Sequence, residues 1–235
     1  TDEMAYAFSQ ADYEASPLSR ILKQTGEGHA WHNREKGITY AYALNAANEV
    51  RRYAVSADGT LTRNGFYDAG TLQAVTTTDE DGHTSTTYTD NLGQEVLLLQ
   101  TDGKTRLETY KVYDGRGLLR WVLSPEAVAQ LGEGTDAAVL GRLAYYYEYD
   151  AMEHTTLKQL PGCKPVYMTY DSRGRLVFSQ DGNERDNNPR RWSYQRYDAS
   201  GRVVESGEFL AKTDIGRLNM LSLSARDQRP EGTYT

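Results

Sequence analysis

The segment Tyr170-Asp171-Ser172-Arg173-Gly174-Arg175-Leu176-Val177 limits the folds open to this chain more than any other stretch. It writes the end of one strand, a tight turn and the start of the next. Aspartate opens such a turn because its carboxylate accepts hydrogen bonds from backbone N–H groups just ahead. A glycine three residues on supplies the positive φ that lets a new strand leave with the correct twist. The unit recurs as Tyr197-Asp198-Ala199-Ser200-Gly201-Arg202-Val203-Val204 and, with its arginine displaced, as Tyr113-Asp114-Gly115-Arg116-Gly117-Leu118-Leu119-Arg120. The tyrosine before each turn and the Leu or Val after it are strand formers that pack across a pair. Tyr113, Asp114, Gly117, Tyr170, Asp171, Gly174, Arg175, Tyr197, Asp198, Gly201 and Arg202 are therefore assigned structural roles at hairpin ends.

Weaker copies precede and separate these three. Tyr13-Glu14 leads to Arg20-Ile21-Leu22 with Ser19 in the glycine position, and Tyr149-Asp150-Ala151-Met152-Glu153-His154 lacks its glycine. Tyr67-Asp68-Ala69-Gly70 and Tyr88-Thr89-Asp90-Asn91-Leu92-Gly93 are further variants, and the stretch from Tyr42 to Val50 is the most degenerate. The tyrosines at 13, 42, 67, 88 and 113 are 21 to 29 residues apart, a period that fits two strands and two turns. Asp58-Gly59, Asp81-Gly82, Asp102-Gly103 and Asp181-Gly182 predict hairpin turns at the opposite edge. Segments between turns alternate as half-buried strands do, and Tyr145, Tyr147 and Tyr149 fall on one face.

The expected architecture is all-β: consecutive antiparallel hairpins in one long sheet, about fourteen to sixteen strands at the usual strand length. A sheet that long is expected to twist, curve or spiral. One helix interrupts it over 125–131, where Ser124 is a good N-cap, Pro125 suits the first helical position and Gly132 can end the turn. The resulting division is a first repeat group over 1–123, a helical connector over 124–143, a second repeat group over 144–209, and a terminal strand with a loose tail over 210–235. These belong to one continuous repeat domain.

Acidic residues outnumber basic ones 33 to 26 with the signs interleaved, so nothing marks a nucleic-acid or anionic-membrane partner. Cys163 stands alone, which leaves no intrachain disulfide and no thiolate metal site. No apolar run approaches the roughly 18 residues a membrane helix needs. The chain opens on Thr1 with no signal peptide, and it reads as a processed or excised piece of something longer.

Catalytic patterns are absent. His29 and His32 are the one close histidine pair, but flanking glycines suggest a strand or loop, where positions three apart face opposite ways. His83 and His154 read as hairpin residues and Cys163 as a loop thiol. The acids are abundant enough that any two could be imagined as a glycosidase pair, and the turn aspartates already have a structural duty. The expectation is no enzyme activity, no cofactor and no metal. Trp31, Trp121 and Trp192, with Tyr145 and Tyr147, are the candidates for stacking on sugar rings. Their alternative is packing on the inner sheet face, which the recurrence of the tyrosines at the repeat period favours.

The Tyr-Asp-x-x-Gly-Arg-Leu units resemble the YD repeats of the Rhs family of very large bacterial secreted and surface proteins. Leu123 to Val128, Leu160-Pro161-Gly162 leading to Tyr167 through Asp171, and Trp192 through Gly201 resemble its Bacteroidetes branch more narrowly. The resemblance runs from about Tyr13 to about Gly207. It implies a spiralling sheet that can form a hollow shell and, in toxin-bearing members, enclose a C-terminal cargo. It also implies a secreted or cell-surface location and an association with carbohydrate. The chain is far shorter than a closed shell and has no Asp-Pro-x-Gly segment like the self-cleavage site of shell-forming relatives. The leading expectation is a scaffold segment whose partners are neighbouring repeats, a C-terminal cargo domain or, through exposed sheet edges, a second copy in an edge-to-edge homodimer. The alternative is a module that binds surface glycans through Trp and Tyr.

Overall fold

The computed structural model describes residues 6–33, 36–102, 104–187, 190–211 and 215–235. The chain forms two compact units, the first of Thr1–Ser56, Thr60–Val112 and Leu123–Gly134, the second of Ala57–Gly59, Tyr113–Val122 and Thr135–Thr235. Both are built from antiparallel hairpins, so the chain is all-β with a few short helices.

In the first unit β1 (Gln10–Tyr13), β2 (Ile21–Thr25), β3 (Ile38–Leu44), β6 (Gln73–Thr78), β7 (Thr84–Thr89), β8 (Glu95–Thr101) and β9 (Arg106–Tyr113) are neighbours in that order. Between β3 and β6 the chain leaves the sheet to form the separate hairpin β4 (Arg51–Val55) and β5 (Leu61–Phe66). Tyr42 to Val50 and Tyr67 to Gly70, expected as two hairpin turns, are instead the two legs of this excursion. Asn45 joins them: it is buried, its side-chain oxygen accepts from Leu72 N–H at 2.8 Å, and its amide donates to the Asp68 carbonyl at 2.9 Å. Helix α2 (Pro125–Leu131) forms where the sequence predicts it, with the Ser124 hydroxyl accepting from Ala127 N–H at 3.2 Å. It buries Ala127, Val128 and Leu131.

The second unit runs through β10 (Leu119–Leu123), β11 (Ala144–Tyr149), β12 (Thr155–Gln159), β13 (Val166–Tyr170), β14 (Leu176–Gln180), β15 (Arg191–Tyr197), β16 (Val203–Ala211) and β17 (Gly232–Tyr234). Alternation along β15 buries Trp192 and Tyr194 and exposes Ser193 and Gln195, as a strand with one dry face requires. Phe178, Trp192, Tyr194, Phe209 and Met220 form its core cluster. Helix α3 (Ala137–Leu143) is capped by Asp136, which accepts from the N–H groups of Ala138 and Val139.

The expected loose tail beyond residue 210 contains helix α5 (Arg217–Ala225) and then β17, paired with β16. Met220 is fully buried over the aromatic cluster, and Ser224 meets Thr169 at 2.8 Å between hydroxyls in a dry site. With only Met220 and Ser224 buried, one turn apart, α5 carries too little apolar patterning to be seen in sequence. Asp181-Gly182 is likewise not a tight turn. It opens the helical turn α4 (Gly182–Asp186), where Asp181 and Glu184 form a reciprocal capping box. Of the Asp-Gly pairs, Asp81-Gly82 does close a hairpin, but the anchoring carboxylate is Asp79, and Gly103 lies outside the described residues.

Candidate functional site

The most regular chemistry of the molecule lies at the hairpin ends. At the turn after β13, the Asp171 N–H donates to the Arg175 carbonyl at 3.0 Å, and Gly174 N–H donates back to the Asp171 carbonyl at 3.0 Å. One Asp171 carboxylate oxygen accepts from the N–H groups of Arg173 and Arg175, and the other receives Arg175 Nε at 2.8 Å. This is a type I turn closed by one left-handed residue. Asp79, Asp90, Asp114, Asp150 and Asp198 anchor the same backbone pattern. Glu153 is the exception in the glycine position, held at φ 68 despite its side chain. A bulge follows one residue into five exit strands, skipping Leu22, Val96, Thr156, Val177 and Val204 in register with the strand before the turn, whereas β6 and β7 pair without one across the Asp79 turn.

Four tyrosines at or near strand ends reach sideways, while Tyr88, before the Asp90 turn, donates to the Glu49 carboxylate at 2.7 Å. Tyr170 donates its hydroxyl to the Thr155 carbonyl at 3.0 Å, Tyr197 to Leu176 at 2.8 Å, Tyr149 to Leu119 at 2.9 Å and Tyr42 to Ile21 at 2.9 Å. In all four the acceptor is the first residue beyond the preceding turn. The side chain at the end of that turn then lies on the tyrosine ring: Arg175 is 4.8 Å from the Tyr197 centroid, Arg20 is 4.3 Å from Tyr42, and the His154 ring stacks on Tyr170 at 4.8 Å. Arg175 also donates to the Asp198 carbonyl at 3.2 Å, and Arg116 to the Asp150 carbonyl at 3.0 Å. Tyr42, Tyr170 and Tyr197 are thus latched to the preceding turn by a hydroxyl and a stacked side chain, and Tyr149 by its hydroxyl.

The electrostatics follow the geometry. The backbone N–H of Arg202, then its guanidinium, hold the Asp198 carboxyl below the ordinary carboxylate range. Burial works to raise Asp171, but the side chain and N–H of Arg175 outweigh it, and its carboxyl also sits low. In the first unit Glu14 is pulled down to about 2 by the Arg20 guanidinium and the Ser16 hydroxyl. His83, four residues after Asp79 where other turns carry arginine, is raised by its hydrogen bond to that carboxylate. Both hairpin histidines pair in this way; His154 Nδ1 lies 3.0 Å from Asp150 Oδ2.

The sugar-stacking candidates do not come together. Trp192 is 2 % exposed in the core of the second unit and cannot meet a ligand. Trp121 donates its indole N–H to the Gly59 carbonyl at 3.0 Å and packs against Tyr146 at 4.4 Å, so its neighbours hold the ring. Tyr145 and Tyr147 are half-buried on β11. Trp31 is 37 % exposed, on the short helix α1 (His29–Asn33). That helix also corrects the strand or loop expected around His29 and His32. Their rings gather about Tyr6, at 5.2 and 4.9 Å. Cys163 is exposed, and no group of three His, Cys, Asp or Glu among the described residues has metal-binding geometry.

Sequence reasoning missed a cleft of about 410 Å³ in the second unit, where Tyr194, Tyr197, Tyr234, Arg173, Arg196 and Asp227 converge. Its polar groups are largely engaged: Arg196 pairs with Glu205, Arg173 donates to the Ala199 carbonyl, and Asp227 accepts from the N–H and hydroxyl of Ser172 at 3.0 and 2.7 Å. The cleft depends on α5 and the residues after it, which no periodic signal announced.

Against known proteins, residues 1–44 match the model described as a domain of unknown function, DUF6443. No curated protein matches. Among solved structures, a mutant Tc holotoxin pore from Photorhabdus luminescens superposes with a TM-score of 0.56 at 12% identity, covering 91% of this chain. TcdB2-TccC3 without its hypervariable C-terminal region gives 0.54 at 14% identity, again over 91% of this chain. This chain shares their fold. It spans 9% of the length of each of those chains.

Proposed function

We propose that this chain is a structural segment of an Rhs-like YD-repeat protein, a stretch of wall in a larger secreted or surface assembly, without catalytic activity. The observation that supports it is the use made of the polar side chains. The conspicuous Tyr, Asp and Arg residues of the repeat are spent on the turn they belong to and on the repeat before it. In this reading the partners are further repeats, and a cargo held by the parent protein is of the kind seen in toxin-bearing relatives. Among the described residues no helix is long and apolar enough to cross a membrane, which agrees with a wall segment and does not bear on β-barrels.

The cleft beside Tyr194, Tyr197 and Tyr234 favours a second reading, a glycan-binding module, because it offers aromatic faces next to polar groups. A panel of soluble bacterial and plant polysaccharides, read by tryptophan fluorescence and thermal shift, separates the two. The structural reading expects no saturable response. A saturable rise in Tm that is lost in Tyr234→Ala overturns it.

A further inference from the structure

The latch has a fixed register. In the β2–β3 pair Lys23 is opposite Thr39, so Arg20, three residues back, is opposite Tyr42. In β12–β13 Leu157 is opposite Tyr167, which sets His154 against Tyr170. In β14–β15 Phe178 is opposite Tyr194, which sets Arg175 against Tyr197. All three tyrosines then donate to the carbonyl one residue beyond their opposite number. Two turns of this type have no tyrosine set against them among the described residues: Asp79 to His83, whose last residue falls opposite Asp102 inside the sheet, and Asp198 to Arg202, which has no strand opposite it.

The receiving surface of the Asp198 turn is nevertheless built. Arg202 is held out by Asp198, with Nε 2.7 Å from Oδ2, and its side chain is 80 % exposed. Val203 and Val204 are 53 % and 62 % exposed. The Arg202 carbonyl is taken by Asp198 N–H, on the β15 side. Carbonyls alternate along a strand, so that of Val203 points away from β15, toward the flank that β17 covers farther along. On that flank β17 pairs only with Phe209, Leu210 and Ala211, and Thr235 exchanges two bonds with Glu208. The stretch from Val203 to Ser206 is left as an unpaired edge among the described residues. The Val204 bulge matches those at Leu22, Thr156 and Val177, whose strands do receive a tyrosine.

The geometry points to Val203–Ser206 as a strand-docking site that takes a further repeat strand ending in Tyr-Asp. The tyrosine ring would lie on the Arg202 guanidinium and its hydroxyl would reach the Val203 carbonyl. Such strand addition draws affinity from main-chain bonds and specificity from the side-chain anchor. The register is stated by the pairing itself. Phe209 is opposite Tyr234, so Arg202, seven residues earlier, is opposite the position seven beyond Tyr234, or six past Thr235. The inference rests on the structural reading above and names its partner by residue pattern.

The test appends seven residues to Thr235, five alternating Thr and Val followed by Tyr-Asp. Three further variants move the tyrosine to the fifth position, replace it with phenylalanine, or combine the original extension with Arg202→Ala. Amide hydrogen exchange is read at Val203 to Ser206. The expected result is protection in the first variant that exceeds the other three by roughly tenfold, the factor carried by about one net hydrogen bond. Equal protection in all four overturns the latch, since the edge then accepts any strand. No protection in any variant overturns the site. Glycan binding in the polysaccharide screen refutes the structural reading without changing these exchange rates, so the two failures are distinguishable.

Discussion

Gly174 and Gly201 occupy the same left-handed turn position, at φ 74 and 81, yet alanine is expected to cost unequal amounts at the two sites. At Gly201 an added Cβ meets nothing within 4 Å, so Gly201→Ala carries backbone strain alone. That strain is about 1–2 kcal/mol, partly offset by about 0.4–1 kcal/mol from the stiffer unfolded chain. The net loss is about 1 kcal/mol. At Gly174 the same Cβ lands 2.6 Å from His154 Nε2 and 3.0 Å from Cε1, so the imidazole must move. Moving it breaks the contact with Asp150 and the stack on Tyr170, about 0.5–1.5 kcal/mol each. Gly174→Ala is therefore expected to lose about 2–4 kcal/mol in total. Urea unfolding, with midpoint and slope fitted separately, measures both variants. Adding His154→Ala to Gly174→Ala should remove the excess. Equal losses at the two glycines, or an excess that survives without the imidazole, would refute the reasoning.

Other expectations are briefer. Glu153→Gly should raise stability by about 0.5–1 kcal/mol in the same urea assay, because glycine adopts the observed φ of 68 without strain. Trp192→Ala should cost about 3–5 kcal/mol and abolish the near-ultraviolet circular dichroism of the second unit, as expected for a ring 2 % exposed. The Glu14 carboxyl, held at about 2 against an ordinary 4.5, stabilises the first turn above about pH 4.5, and that contribution is lost as pH falls through about 2. Carbon-13 titration should show the value returning toward 4.5 in Arg20→Gln. The His83 pKa is raised by Asp79, so its contribution is complete below the ordinary 6.5 and disappears as pH rises through the folded value. Asp79→Asn should lower it in a proton NMR titration.

What could be read from the sequence was local. An aspartate followed three residues later by glycine carries its own turn chemistry, so Asp114, Asp171 and Asp198 were visible without a structure, and even the glycine-less turn at Asp150 kept its Tyr-Asp start. Ser124-Pro125 announced α2 for the same reason, since capping is written in adjacent residues. Long-range devices stayed hidden. Nothing near Asn45 shows that its amide will join two legs of chain 23 residues apart. The residue pattern implies cross-strand packing for the tyrosines, whereas the hydroxyl makes the specific contact, to a backbone carbonyl 21 residues earlier in both Tyr42 and Tyr197. Backbone acceptors have no sequence signature. Trp192 and Trp31 look alike as letters, and only the fold buries one of them and exposes the other.

Tyr149, Tyr170 and Tyr197 are each fastened to the previous turn by a hydroxyl bond to one defined carbonyl. Carbon-13 carbonyl shifts in Tyr170→Phe and Tyr197→Phe test this fastening site by site. The account predicts that the Thr155 carbonyl moves in the first variant and the Leu176 carbonyl in the second, each leaving the other unchanged, with a stability loss of about 1 kcal/mol apiece. Carbonyl shifts at Thr155 and Leu176 that match the parent protein in both variants would contradict it.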